Sequence, residues 1–260
     1  IRCTDESGTE LAFDLIDWAY NSGSPTGLIR VKRSLSTSTS TQKVRVWYDY
    51  TPGTAVAYDA NETYGSDNAY DADWQGYWPL MSDFNDRTVN SNNLTANGGV
   101  VAGGGTGFVG SSTVFDGVDD YLSLDPLPSN LELTTGSMFC GLEVDVRATW
   151  QRIGGIGEGS LDDRLGFTVW GGSNDITITY KNSGVEVRGG TVNPPAKLFA
   201  YTFSPTNVEL FQNNVSIDSD SGSFTLPIYG ASHTFEIGTV KLTSRTPFWS
   251  GTQEHWHVHD

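Results

Sequence analysis

Basic residues are scarce in this sequence. Its 260 residues hold 15 Lys plus Arg against 31 Asp plus Glu, a formal net charge of −16 at pH 7. Such a surface repels phosphate, which excludes a nucleic-acid partner, because duplex binding rests on neutralising phosphates with Lys and Arg. Long apolar runs are missing too. No stretch approaches the ~20 apolar residues of a membrane helix, so membrane insertion is not expected. No basic segment followed by an apolar one opens the chain. It starts at Ile1-Arg2-Cys3 without Met, as expected of a processed or incomplete N-terminus.

Cysteine is nearly absent. Cys3 and Cys140 lie far apart, each in an alternating run, and are expected as small buried apolar residues rather than a disulfide. Charged residues make up only 18% while Gly, Ser, Thr and Asn abound, a mixture suited to short strands joined by turns. No fixed-period repeat is present, against a propeller or solenoid.

Strand patterns run along the chain. Residues 26–35 and 42–50 alternate, with Val44, Val46, Tyr48 and Tyr50 on one face and Lys43, Arg45, Trp47 and Asp49 on the other. Residues 51–73 lose this periodicity and mark a domain boundary. A strand opens at Trp74, and residues 83–110 read as a long, turn-laden connection without a packed element. Short strand candidates then recur: 113–115, 121–124, 137–146, 151–156, 165–170, 176–180, 185–188, 197–203, 208–211, 234–237 and 254–259. Regular short strands of this kind indicate a sandwich.

Several stretches carry a resemblance. Gly76-Tyr77-Trp78-Pro79-Leu80, the loop from Asp86 to Thr95, Phe115-Asp116-Gly117-Val118-Asp119-Asp120-Tyr121-Leu122 and the hairpin-like residues 201–219 stand in the order seen in one family. They resemble the laminin-G-like branch of the concanavalin A-like lectin superfamily, over residues 74–260. The resemblance implies an all-β fold: a concanavalin A-like jelly-roll β-sandwich with a smaller N-terminal β domain. That domain, residues 1–57, resembles a small β domain of unknown function that often precedes lectin-like domains in microbial surface and phage proteins. Residues 58–73 are expected as a linker.

Some members of the superfamily hydrolyse glycosides with carboxylates spaced along one strand as E-x-D-x-E or E-x-D-x-x-E, one attacking while another donates a proton. Glu143-Val144-Asp145 begins that pattern, but Arg147 and Ala148 stand where the third carboxylate belongs, so a solvated strand face is expected and catalysis is not. The Gly103–Gly107 run lacks the Lys-Ser/Thr of a phosphate loop and reads as a loop.

Asp116, Asp119 and Asp120, with Asp86 and Asn90 from the preceding loop (and Asn92 beside them), supply the oxygen ligands that calcium takes. The same aspartates also suit a hairpin turn and a strand cap. His255, His257 and His259 alternate on the closing strand, with neighbours about 7 Å apart, and suit a transition metal or an exposed polar strand face. His233 and Asp260 are candidate fourth ligands. Asn61, Asn93 and Asn214 head glycosylation sequons that matter only in a eukaryotic host.

Sugar binding needs an aromatic platform for the ring and polar groups for its hydroxyls. Trp150, Trp170, Tyr229 and Trp249 stand near expected loops and are candidates, the other tryptophans being expected mostly in the core. The reading is a non-catalytic carbohydrate-binding or adhesion module that takes a glycan or host-surface polymer, extracellular or at a cell or virion surface, with calcium as a possible cofactor. The rival is a structural virion component, a phage tail or capsid-decoration subunit, that uses the lectin fold to form a homo-oligomer or larger assembly.

Overall fold

A computed structural model describes residues 1–21, 24–34, 42–48, 58–107, 110–144, 150–158, 164–170, 175–181, 185–189, 197–224, 229, 232–239 and 250–260. The chain forms two compact units. The first is Ile1–Ala72 with Arg87–Val89; the second is Asp73–Asp86 with Asn90–Asp260. No helix among the described residues is long and apolar enough to cross a membrane.

In the first unit β1 (Arg2–Thr4) pairs antiparallel with β4 (Arg45–Trp47), and β2 (Phe13–Asn21) with β3 (Ser24–Val31). The Asp5-Glu6-Ser7-Gly8 turn forms as the sequence indicates: the Asp5 carboxylate accepts the Ser7 and Thr9 backbone N–H groups, each at 2.9 Å. Buried Cys3, Phe13, Ile16, Ala69 and Tyr70 make its core.

Residues 58–72, expected as linker, belong to this unit. Tyr58 packs on Phe13 and Tyr64 with ring centroids 6.3 and 5.5 Å apart. Tyr70 donates a hydrogen bond of 2.7 Å to the buried Asp14 carboxylate. The segment lacks strand periodicity because it packs through three tyrosines spaced six residues apart, at 58, 64 and 70.

The second unit is a β-sandwich. Its early strands are β5 (Trp74–Trp78), β6 (Thr95–Asn97), β7 (Val101–Thr106), β8 (Ser111–Asp116), β9 (Tyr121–Leu124) and β10 (Gly136–Val144). Next come β11 (Trp150–Gly157), β12 (Arg164–Trp170), β13 (Ile176–Lys181), β14 (Val185–Gly189) and β15 (Lys197–Phe203). The unit closes with β16 (Asn207–Gln212), β17 (Val215–Ser221), β18 (Thr234–Ile237) and β19 (Ser250–His259).

One sheet has eight strands, ordered β17-β16-β15-β10-β19-β8-β7, with β5 also on β19; the other has seven, ordered β14-β13-β12-β11-β18-β9-β6. Two of these strands, β6 and β7, fall where a structureless connection was expected. Both sit at sheet edges and pair through the main chain, so a segment such as Val101-Ala102-Gly103-Gly104-Gly105-Thr106 needs no apolar alternation to join a ladder.

The two sheets bury one core. Trp78 stacks on Phe235 at 5.0 Å, and Trp256 meets the edges of Phe167 and Phe235, each at 5.8 Å. Leu122, Met138, Cys140, Ile156, Leu165, Ile178, Tyr201 and Val258 fill the remaining space. Both cysteines are buried and free, and burial raises the Cys140 thiol well above its ordinary pKa.

One polar line crosses this core. Trp256 Nε1 donates to Gln253 Oε1 at 2.7 Å, and Gln253 Nε2 donates to the Ile153 carbonyl at 3.1 Å, joining β19 to β11 of the facing sheet.

Candidate functional site

Alternation along the seven-stranded sheet sends Leu122, Leu124, Phe235, Ile237, Leu165, Phe167, Ile176 and Ile178 into the core. The residues between them belong to its outer face. There the ladder aligns Ser123, Glu236, Gly155 and Gly166 in one row, and Arg152, Thr168 and Thr177 in the next.

This face is polar yet withdrawn from solvent. Glu236 is 0% exposed and Thr177 1%, and Ser123 and Thr168 are also buried. Gly155 and Gly166, both buried, stand beside Glu236 in this row. Neither position accepts a side chain: a Cβ on Gly155 would lie 2.3 Å from the Leu165 carbonyl oxygen, and one on Gly166 2.6 Å from that of Gly154. A carboxylate, a guanidinium and hydroxyls are groups that exchange hydrogen bonds with a polyhydroxylated ligand where they reach the surface, as the half-buried Arg152 does.

Of the four aromatic candidates, Trp150 and Trp170 are brought together as direct ladder partners in β11 and β12, two positions from Arg152 and Thr168. Trp249 lies outside the described residues. Tyr229 is half-buried, packs against the core, and donates its hydroxyl to the Leu133 carbonyl at 2.8 Å. The sequence reading missed Ser123, Arg152, Thr168, Thr177 and Glu236. Their one signal is a polar residue inside an apolar triplet, as in Phe235-Glu236-Ile237, which also describes an ordinary solvent-washed face.

Asp116, Asp119 and Asp120 do converge, with one carboxylate oxygen of each within 4.8 Å of the others. Asp116 Oδ1 accepts the Val118 and Asp119 N–H groups at 2.8 and 3.3 Å, and Asp120 Oδ2 accepts the Asp116 N–H at 3.2 Å. Gly117, at φ 78°, turns the chain between β8 and β9. Burial, and then the charges of Asp116 and Asp119, raise the Asp120 pKa. Three carboxylate oxygens at this separation suit a hard cation such as Ca²⁺, which binds oxygens at about 2.3–2.6 Å.

Asp86 and Asn90 are engaged elsewhere. The buried Asp86 carboxylate accepts the Tyr77 and Asn92 N–H groups, both at 3.0 Å, and Asn90 Nδ2 donates to the Trp74 carbonyl at 3.1 Å. They fasten their loop to β5, and the convergent carboxylates of Asp116, Asp119 and Asp120 do not include that of Asp86.

His257 and His259 lie on the outer face of the eight-stranded sheet, among rings. His257 stacks on Trp74 at 5.0 Å and 14°, with Tyr77 and Phe139 at 5.4 and 4.3 Å. The β10–β19 register shifts between Phe139 and Gly141, opposite His257 and Glu254. The His255 side chain lies outside the described residues, and among those described no group of three metal-ligating residues contains His257. His233, a candidate fourth ligand, sits just before β18 in the other sheet, 3.9 Å from the Glu158 carboxylate. Asp260 donates its N–H to the Asp73 carbonyl at 2.8 Å. Glu143 lies in β10 with its side chain outside the described residues, as is all of Asp145.

No family model and no curated protein matches the chain. Solved structures do. Domain 4 of AbnA, a GH43 extracellular arabinanase from Geobacillus stearothermophilus in complex with arabinotriose, is similar at TM-score 0.57 and 16% identity, over 74% of this chain and 94% of that domain. A Trypanosoma rangeli sialidase in complex with sialic acid is similar at TM-score 0.53 and 13% identity, over 73% of this chain and 31% of the sialidase. The botulinum neurotoxin serotype C1 binding domain is similar at TM-score 0.51 and 10% identity, over 72% of this chain and 48% of that domain. At such identities the likeness is one of fold, and the second unit shares the β-sandwich of these proteins.

Proposed function

We propose that the second unit is a non-catalytic carbohydrate-binding module whose site is the outer face of the seven-stranded sheet. The observation that carries this reading is the paired rows Ser123-Glu236-Gly155-Gly166 and Arg152-Thr168-Thr177, which end beside the Trp150–Trp170 ladder pair. Arg152, the half-buried member of these rows, donates to sugar hydroxyls, with the buried Glu236, Thr168 and Thr177 as the polar groups of the rows around it. Trp150 and Trp170, ladder partners at the end of the rows, are the aromatic residues this reading assigns to stacking. The match over nearly the whole of an arabinanase domain held with arabinotriose makes arabino-oligosaccharides the first probes.

The broken carboxylate pattern at Glu143-Val144-Asp145 supports binding without hydrolysis. The Asp116–Asp120 group is proposed to hold calcium, tying the β8–β9 turn in place. A laminin-G-like affiliation and a place at a cell or virion surface belong to the same reading.

A glycan array with calcium and again with chelator, followed by titration calorimetry on the hits, tests it. Binding that falls about tenfold or more in Trp170→Ala and Arg152→Ala, with folding retained, is the expected outcome, each tenfold being about 1.4 kcal/mol. Loss of binding in chelator assigns the calcium role to the aspartates. Absence of glycan binding in both conditions overturns the reading in favour of a structural subunit.

A further inference from the structure

Alternation with buried Met138, Cys140, Phe199, Tyr201, Leu210 and Val258 sends the residues between them to the outer face of the eight-stranded sheet. Ladder register sets them in two rows. Tyr77, His257, Phe139, Ala200 and Phe211 are successive partners across β5, β19, β10, β15 and β16. Trp74, His259, Ser137, Thr202 and Glu209 are the partners in the row beside them. Trp74, His257, Phe139 and Phe211 are half-buried, and Thr202 is exposed.

Trp74 owes its place to a bulge. The β5–β19 register shifts between Val258 and His259: Gly76 pairs with Val258 and Trp74 with His259, which makes Gln75 the extra residue. Strict alternation would set Trp74 and Tyr77 on opposite faces. The bulge brings them to one face, with ring centroids 5.9 Å apart. Side-chain amides from two loops hold the Gln75 carbonyl: Asn130 Nδ2 donates to it at 2.8 Å, Asn90 Nδ2 at 3.2 Å and Asn92 Nδ2 at 3.4 Å. His257 then lies along the Trp74 indole at 5.0 Å and 14°, with Phe139 of the next strand 4.3 Å from His257. Re-aiming a side chain is a use that bulges serve beside functional sites.

We infer that these two rows are a second sugar-binding surface, on the sheet facing the one that carries Arg152 and Glu236, and that it takes a neutral oligosaccharide. The inference rests on the reading of the second unit as a carbohydrate-binding module and gives that module a further site. Sugar rings lie along the Trp74, His257, Phe139 and Phe211 line, and their hydroxyls meet His259, Ser137, Thr202 and Glu209, which donate or accept. Rings with a few placed polar groups are the usual lining of a small-ligand site. Charge selects the class of sugar. The two rows contain no Lys or Arg and a single carboxylate, that of Glu209. An acidic sugar therefore finds no guanidinium or ammonium in them, and the net charge of −16 opposes its approach. A protein partner fits less well, because its docking patch is contiguous exposed apolar surface. Here the rings are half-buried, with Ser137, Thr202 and Glu209 in the adjoining row. Three inter-strand spacings, about 14 Å, run from His257 to Phe211, the reach of a short oligosaccharide rather than of one ring.

The test is titration calorimetry on the full chain with arabinotriose and cellotriose, and with trigalacturonate as their acidic counterpart. Affinity for a neutral trisaccharide is expected to fall about tenfold or more in Trp74→Ala and in Phe211→Ala, as when an aromatic anchor is truncated, and to be largely kept in Trp74→Phe. Thr202→Lys reaches the same end without touching the core. Its position is exposed, its ladder partner Glu209 balances the new charge, and the longer side chain covers Ser137. Trp170→Ala separates this surface from the one on the seven-stranded sheet. Loss in Trp74→Ala, Phe211→Ala and Thr202→Lys but not in Trp170→Ala upholds the inference, as do two sites per chain of which these three variants remove one. Loss confined to Trp170→Ala overturns it and leaves the earlier reading standing. Tighter binding of trigalacturonate than of either neutral sugar, or no binding of any of the three, also overturns it.

Discussion

Asp120 is held where its charge is disfavoured. It is 8% exposed, and burial, together with the charges of Asp116 and Asp119, raises its pKa. A carboxyl whose folded-state pKa lies above its unfolded value favours folding while protonated, and that stabilisation is lost as pH rises through the folded-state pKa. At pH 7 without calcium the ionised group therefore costs stability. Asp120→Asn keeps an oxygen for the Asp116 N–H and removes the charge. In chelator at pH 7 it is expected to raise Tm. The gain vanishes below the unfolded pKa of about 3.9, where the wild-type group is already protonated. Added calcium reverses the order, because only the wild type gains from the ion. Differential scanning fluorimetry across pH, with and without calcium, measures both arms, and a lower Tm for the variant in chelator at pH 7 counts against the account.

Between elements, the Trp256–Gln253–Ile153 line ties one sheet to the other inside the core. Gln253→Leu keeps the approximate volume but leaves the Trp256 indole N–H without this partner, while the Ile153 carbonyl keeps the Gly238 N–H at 2.7 Å. A buried polar group left unsatisfied costs about 1–3 kcal/mol, so urea unfolding is expected to show a loss of that order. An unchanged midpoint would mean that the line contributes nothing net. Such ties were not legible in the sequence, where Gln253 is one polar residue in a mixed strand. What was legible is the set of strands whose cores alternate, from Phe139-Cys140-Gly141-Leu142 to Phe235-Glu236-Ile237. Their sandwich arrangement followed from regular spacing and from segments such as Phe115-Asp116-Gly117-Val118-Asp119-Asp120. Glycine-rich β7 escaped because ladder hydrogen bonds come from the backbone and leave no mark on side-chain choice. The rows on the outer face escaped for a different reason. Register, rather than sequence distance, places Glu236 beside Ser123 and Gly155, residues over eighty positions away, and no single-strand pattern encodes register.

At the scale of the whole molecule the two units have separate cores, and the smaller buries a smaller share of its surface. Two unfolding transitions are expected in scanning calorimetry. The first belongs to Ile1–Ala72 and leaves glycan binding intact; a single cooperative transition would refute independent units. The second unit has a further property. Its first strand, β5, pairs with its last, β19, and beyond them the Asp260 N–H meets the Asp73 carbonyl at 2.8 Å. Entry and exit therefore share one point on the surface, a geometry associated with tolerance of permutation and insertion. The unit behaves as a plug-in: a few residues can join residue 260 back to residue 73 and new ends can be cut at another surface turn, or the whole sandwich can be spliced into a loop of an unrelated host, without stretching either partner.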